Sequence, residues 1–268
     1  MTGLGDYAFQ HADDGDIKWY YSVTTVVIPA SITHIGLNPF SRCQYIIKEI
    51  VVDPANERYE SVDGILYDKQ TKTLISYPIS AADYSAGEQY ITVKPDTLAI
   101  AEGAFGWDKA SFINDSLLYI TLPEGLREIG KSAFEGCKIG SINIPSTVYE
   151  ISQNAFKYAR IKNITLAEGV KIIGVEAFAQ TQLDSIEIPS SVETIEDKAF
   201  FWCWLSEIKF NEGLKRIGSC VFYWNWRLKE IELPRSLEYV SPDAFTGCDG
   251  LEKFSASDEI LKALGIEQ

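Results

Sequence analysis

Two histidines, five cysteines, six tryptophans and one short acidic run are the residues of this chain that could carry chemistry. Histidine is the usual general base, yet neither His11 nor His34 stands beside a nucleophile in a recognisable motif. His34 lies in "SITHIG", and neighbouring repeats carry Glu193 or Lys215 at comparable sites, so it reads as a surface residue. Asp13 to Asp16, "DDGD", could gather carboxylates around calcium, but the spacing is not that of an EF-hand loop and the run reads as a solvated turn, with calcium as the lesser alternative. No phosphate-binding glycine loop, zinc spacing or nucleophile elbow occurs, so we expect no catalytic residue, no cofactor and no metal site.

The cysteines and tryptophans take their meaning from a recurring phenylalanine. Cys43, Cys137, Cys203 and Cys248 each follow such a phenylalanine by three residues, and no CxxC pair is present. Equal placement in a repeat describes a structural slot in which cysteine acts as a small buried hydrophobe; disulfide or metal use is the alternative. All six tryptophans, Trp19, Trp107, Trp202, Trp204, Trp224 and Trp226, lie between a phenylalanine and the strand that follows.

The elements that must position these residues form an internal repeat. From Phe134 through Phe156, Phe178 and Phe200 to Phe222 the interval is 22 residues, and the step to Phe245 is 23. Phe9, Phe40 and Phe105 extend the series toward the N-terminus. In "SIEIPSSVETIEDKAF", Ile186 and Ile188 face one side of a half-buried strand and Glu187 the other. Pro189 ends the strand, Ser190 and Ser191 turn the chain, and Val192, Ile195 and Phe200 return to the core. A unit this short cannot bury its own apolar face, so neighbours stack into a mainly β solenoid.

Strands of equal phase recur near Val26, Ile50, Ile91, Ile120, Ile142, Ile164, Ile186, Ile208, Ile231 and Phe254, giving about ten rungs and a parallel sheet about 45 Å long. Between Phe40 and Phe105 the period breaks: residues 53–89 read as a β-hairpin insertion, Ile65 to Tyr67 against Thr73 to Tyr77 across the polar turn Asp68 to Lys72. Residues 1–255 form the solenoid, and 256–268 a capping helix with Ser257 as N-cap, Asp258 and Glu259 in its first turn and Gly265 beyond its end. The N-terminal side shows no comparable cap and Met1 opens inside a repeat, so we expect further chain, a leader included, before it.

Stacking gathers the connections along one edge. Trp202 and Trp224 then form one column and Trp204 and Trp226 a second, either as an exposed site for protein hot spots and sugar rings, or packed together over the core. The formal charge of −14 disfavours nucleic acid and anionic membrane and suits a cationic or neutral partner. No apolar run reaches the length of a membrane span, so no membrane insertion is expected.

The unit "LDSIEIPSSVETIEDKAFFWC" and the insertion "YESVDGILYDKQTKTLISYP" resemble the BspA-type leucine-rich repeat family of bacterial surface proteins. Ile-Pro, Ile-Gly-x-x-Ala-Phe, the cysteine slot and Ser-x-Asp-Gly occur together and in order over nearly the whole chain. The sequence departs from the pattern at Pro39-Phe40 and Val221-Phe222, where alanine is replaced and a local packing change is expected.

The resemblance implies a curved rod with its parallel sheet on the concave face, secreted or displayed at the cell surface. It implies a non-catalytic binding module that adheres to host or neighbouring-cell protein or glycan; a spacer presenting another domain, with no ligand of its own, is the alternative. The sheet face, where leucine-rich repeat proteins habitually dock partners, carries Thr121, Asn143 and Thr165 and then Glu187, Glu207, Lys209, Glu230 and Glu232. This graded patch reads either as a docking surface or as a solvated face paired across strands. No family binding residue transfers to a position here, so the candidate sites rest on residue type and placement.

Overall fold

The computed structural model describes residues 3–8, 24–40, 47–78, 88–106 and 117–266. Phe9, His11, Asp13 to Asp16, Trp19, Cys43 and Trp107 lie outside the described residues. In chain order the strands are β1 (Gly3–Leu4), β2 (Thr25–Ile28), β3 (His34–Ile35), β4 (Glu49–Val52), β5 (Tyr59–Val62), β6 (Ile65–Asp68), β7 (Thr73–Ser76), β8 (Glu88–Thr92), β9 (Ala99–Ile100), β10 (Leu117–Thr121) and β11 (Glu128–Ile129). They continue as β12 (Lys138–Ile144), β13 (Glu150–Ile151), β14 (Arg160–Leu166), β15 (Ile172–Ile173), β16 (Ser185–Ile188) and β17 (Thr194–Ile195). The last are β18 (Glu207–Phe210), β19 (Arg216–Ile217), β20 (Glu230–Glu232), β21 (Tyr239–Val240) and β22 (Lys253–Ser255), followed by helix α1 (Asp258–Ala263).

The fold is a parallel β-solenoid of about nine turns, with α1 as the helix among the described residues. The regular turns have a longer first strand, such as β16 with Ile186 and Ile188 inward and Ser185 and Glu187 outward, and a two-residue second strand, such as β17. The ten expected strand positions, Val26 through Phe254, all fall in first strands. The tenth, β22, has no second strand and leads into α1, where Ser257 Oγ accepts the Ile260 amide and Ile260 and Leu261 are buried.

The expected single sheet of first strands is corrected by the structure. Those strands form four separate ladders, β2–β4, β8–β10–β12–β14, β16–β18 and β20–β22. It is the short second strands that run on, with Ile100, Ile129, Ile151, Ile173, Ile195, Ile217 and Val240 in register along one ladder. A further row of backbone bonds passes through the phenylalanines: Phe134, Phe156 and Phe178 each donate to the alanine carbonyl one turn on, at 2.8 Å. Stacking is thus fixed on two sides, and the first side can separate without unstacking the turns.

The phenylalanine rings form a column. Centroids of Phe134, Phe156, Phe178 and Phe200 follow each other at 5.1, 5.2 and 5.2 Å, nearly parallel. The widest step, 5.6 Å, separates Phe200 from Phe222, where Val221 stands in place of alanine. Tyr77 heads the column, stacked 5.1 Å from Phe105 and donating its N–H to Ala104 O. The long gap before Phe105 therefore contains a full turn whose ring is a tyrosine, its phenol pushed up to about 12 by burial.

That turn also revises the insertion. It holds three antiparallel strands, β5, β6 and β7, where two were expected, and β7 pairs parallel with β9. Alternation sends Ile65, Tyr67 and Leu74 into the C-terminal core and Tyr59, Leu66 and Ile75 into a separate N-terminal core with Phe40. The meander is a wall between two cores, which is why all four residues of β6 are buried.

The cysteine slot has a polar role as well as an apolar one. Sγ of Cys137, Cys203 and Cys248 donates to the carbonyl of Phe105, Phe178 and Phe222, at 3.0, 2.9 and 3.1 Å. At the same position Asn225 Nδ2 donates to Phe200 O at 2.7 Å. Burial pushes the Cys203 and Cys248 thiols up to about 11 and the Cys137 thiol higher still, whereas Cys220 is only half-buried. In iodoacetamide labelling of the native protein read by peptide mass spectrometry, Cys220 is expected to react about tenfold or more faster than these three, because its sulfur is partly open to the reagent and theirs are buried. Equal labelling of Cys203 and Cys220 would refute the slot.

Candidate functional site

The loop that carries each phenylalanine into the next turn places the tryptophans. Two residues past the phenylalanine the backbone is left-handed in six successive turns: Gly136, Tyr158, Gln180, Trp202, Trp224 and Gly247 have φ between 51° and 78°. Stacking imposes this, because Trp202 N–H donates to Tyr223 O at 2.8 Å and Trp224 N–H to Thr246 O at 3.0 Å. A side chain is disfavoured there by about 1–2 kcal/mol, so glycine is the easy occupant and tryptophan a demanding one.

The rings stand outside a core already filled by Phe200, Leu205, Phe222 and Leu228. Trp202, Trp204, Trp224 and Trp226 are 46%, 48%, 50% and 59% exposed, so they do not close the core. Trp202 meets Trp224 edge to face at 5.9 Å, and Trp224 stacks on Tyr223, which stacks on Phe201. Arg227 ties this edge to the adjoining strand, pairing with Asp184 at 3.0 Å and donating to Trp204 O at 3.0 Å.

The charged residues of the first strands lie elsewhere. Glu187 pairs with Lys209 at 2.7 Å and accepts from Asn211 at 2.9 Å, and these donors hold its carboxyl below the usual carboxylate range. Glu230 pairs with Lys253 at 3.2 Å; Glu207 and Glu232 have no ion pair among the described residues. Where the ladder breaks between β18 and β20, a cleft of about 800 Å³ opens, lined by Glu207, Lys209, Asn211, Glu230, Glu232 and Arg235. Its carboxylates exceed its cations, and one of those cations is already paired with Glu187, so the cleft suits a cationic group. None of the four tryptophans lines it. His34 is exposed on β3, and among the described residues no three His, Cys, Asp or Glu side chains converge as a metal site.

A second cleft, of about 810 Å³, gathers Thr121, Asn143 and Thr165 of the expected sheet-face patch together with two tyrosines that the sequence reading did not single out. It lies over the four-stranded ladder β8–β10–β12–β14, where Tyr90 and Tyr119 stack at 4.9 Å beside Thr92, Thr121, Asn143 and Thr165. Glu88 accepts from both phenols, Oε2 from Tyr90 and Oε1 from Tyr119, each at 3.0 Å. These hydrogen bonds to Glu88, more than its charge, raise both phenols above their ordinary value. The signal was present in the repeat: aligning "YIT" at 90–92 and 119–121 with "SIN" at 141–143 shows tyrosine where other turns carry small or charged residues.

A family model described as BspA type leucine rich repeat region matches in six copies, over residues 5–61, 106–222 and 171–264. A leucine-rich repeat protein from Eubacterium ventriosum is similar in structure, 23% identical, with a TM-score of 0.71 over 96% of this chain and 63% of that one. So is a leucine rich cell surface protein from Faecalibacterium prausnitzii, 21% identical, TM-score 0.54, covering 100% of this chain and 55% of that one. The pneumococcal vaccine antigen PcpA is 21% identical with a TM-score of 0.50, covering 90% of this chain and 53% of the antigen. These likenesses concern the fold, and the chain spans less than two thirds of each structure. No curated protein matches the chain.

Proposed function

The chain belongs to the BspA-type leucine-rich repeat family, and from that premise we propose that it is a non-catalytic binding module of a secreted or cell-surface bacterial protein, adhering to host or neighbouring-cell protein or glycan. The observation that carries this reading is the tryptophan edge. Four half-exposed indoles project from adjacent turns, two of them from backbone positions that favour glycine. The backbone there disfavours any side chain and the ring contacts leave each indole about half exposed, an arrangement suited to a binding surface, since large rigid aromatics dominate hot spots. That one structural relative is described as a cell surface protein and another as a vaccine antigen supports the placement outside the cell.

The test is binding of the chain to a panel of matrix proteins and glycans beside a Trp202→Ala/Trp204→Ala/Trp224→Ala/Trp226→Ala variant whose circular dichroism matches the parent. Affinity for at least one panel member is expected to fall by at least about a hundredfold in the variant. Unchanged affinity would remove the edge from the site.

The spacer reading keeps one specific observation. Exposed ion pairs recur from turn to turn, Lys171 and Lys215 on Glu193, Lys209 on Glu187 and Lys229 on Glu252, and so pair the surface charges with each other. Failure of the whole panel to bind either protein favours it.

A further inference from the structure

We propose that the Tyr90–Tyr119 platform is a binding site for an uncharged oligosaccharide, with a pyranose ring laid on the outer face of Tyr90. The proposal deepens the binding-module reading by naming a ligand class, and it uses a surface separate from the tryptophan edge.

The platform is built from below. The pairing of β10 with β12 matches Leu118 to Ile139 and Tyr119 to Ser141, so Gly140 is the extra residue of a β-bulge. Tyr119 lies over that glycine: a Cβ at Gly140 would fall 2.7 Å from Tyr119 Cζ. Tyr90 stacks on the other face of Tyr119, and Glu88 fixes both phenols with one carboxylate. The top ring, Tyr90, is 75% exposed, the highest value of any large hydrophobic side chain described. A ring so exposed adds nothing to the core, yet it is held in one orientation, which lowers the ordering cost of a ligand that uses its face.

The surroundings select the ligand. An aromatic face carries negative charge density and attracts the polarised C–H bonds of a sugar ring. Around it stand hydroxyls and amides: Thr92, Thr121, Ser141, Asn143 and Thr165. Thr165 Oγ1 donates to Asn143 Oδ1 at 2.6 Å, which leaves the Asn143 Nδ2 hydrogens for a ligand oxygen. Among the described residues no lysine or arginine lines the cleft, and the one charged lining residue is Glu124. With Glu88 beside it, the local charge is negative, so sialylated, sulfated or uronic sugars are repelled and neutral ones are not.

Calorimetric titration of the full chain with cellohexaose, mannohexaose and N-acetylchitohexaose, beside hexagalacturonate and hexalysine, tests this. At least one neutral oligosaccharide is expected to bind, with a loss of about tenfold or more in Tyr90→Ala and little change in Tyr90→Phe, which keeps the ring. Gly140→Val, which displaces Tyr119 from beneath, is expected to weaken binding although the glycine does not face the ligand; its fold is checked by circular dichroism. A neutral sugar whose affinity falls in the four-tryptophan variant but not in Tyr90→Ala binds at the tryptophan edge and overturns the proposal. The proposal is overturned if none of the three neutral sugars binds, if only hexagalacturonate or hexalysine binds, or if affinity survives Tyr90→Ala. Binding at the tryptophan edge without binding at the tyrosines would sink this proposal and leave the binding module standing; silence at both surfaces would sink both.

Discussion

Phe178→Ala is expected to lower the stability of the solenoid by about 3–5 kcal/mol, at the upper end of large-to-small core substitutions. Phe178 is fully buried and stacked at 5.2 Å on both Phe156 and Phe200, so truncation removes a buried ring, opens a cavity and breaks two stacked pairs. Its position adds to the effect. Each turn touches only its neighbours, so a defect in the middle of the column weakens the coupling between the two halves. Urea unfolding followed by circular dichroism should show a lower midpoint together with a shallower or two-step transition. Phe245→Ala is the comparison: that ring is half-buried, stacked on Phe222 and edge-on to Phe254 at the C-terminal end, and less than half the loss is expected. A central loss below about 1 kcal/mol would mean that the column is not the spine of the fold.

Gly213→Ala is expected to destabilise by about 2–4 kcal/mol, while Gly125→Ala, in the same Leu/Phe-x-Glu-Gly-Leu context, changes stability by less than about 1 kcal/mol. Gly213 has φ +127°, and a Cβ there would sit 2.0 Å from Ser190 O, a backbone atom of the preceding turn. Its own N–H donates to Ser236 Oγ at 2.8 Å, and Glu212 accepts the amides of Arg235 and Ser236. The turn is clamped from both sides and cannot move away from the clash. Gly169 repeats the arrangement, with φ +141° and Ser146 O at 1.9 Å. At Gly125 an added Cβ would meet no heavy atom within 4 Å, and the backbone there is not left-handed. Equal unfolding midpoints for the two variants would show that the turns, not the stacking between them, set the glycine requirement.

This pair marks the line between what was legible in the sequence and what was not. In a solenoid, sequence distance of one period is spatial contact, so a motif that recurs every 22 residues writes the packing directly into the chain. The strand positions, the phenylalanine column and the buried cysteine slot could be read for that reason. So could the family, because its pattern is the pattern of the core.

What departs from the period had to wait for the tertiary structure. Tyr77 fills a phenylalanine slot inside what looks like an insertion, because only the stack shows which ring continues the column. The first strands separate into four ladders, which the turns tolerate because they are also held on their other sides. Trp202 and Trp224 are thrown outward by a left-handed backbone that their own letters disfavour. Tyr90 and Tyr119 become one platform through Glu88 and the bulge at Gly140. The sequence alone determined the repeating core, where each residue answers to its counterpart one turn away. The structure decided the surface, where exposure and pairing depend on backbone geometry that several turns impose together.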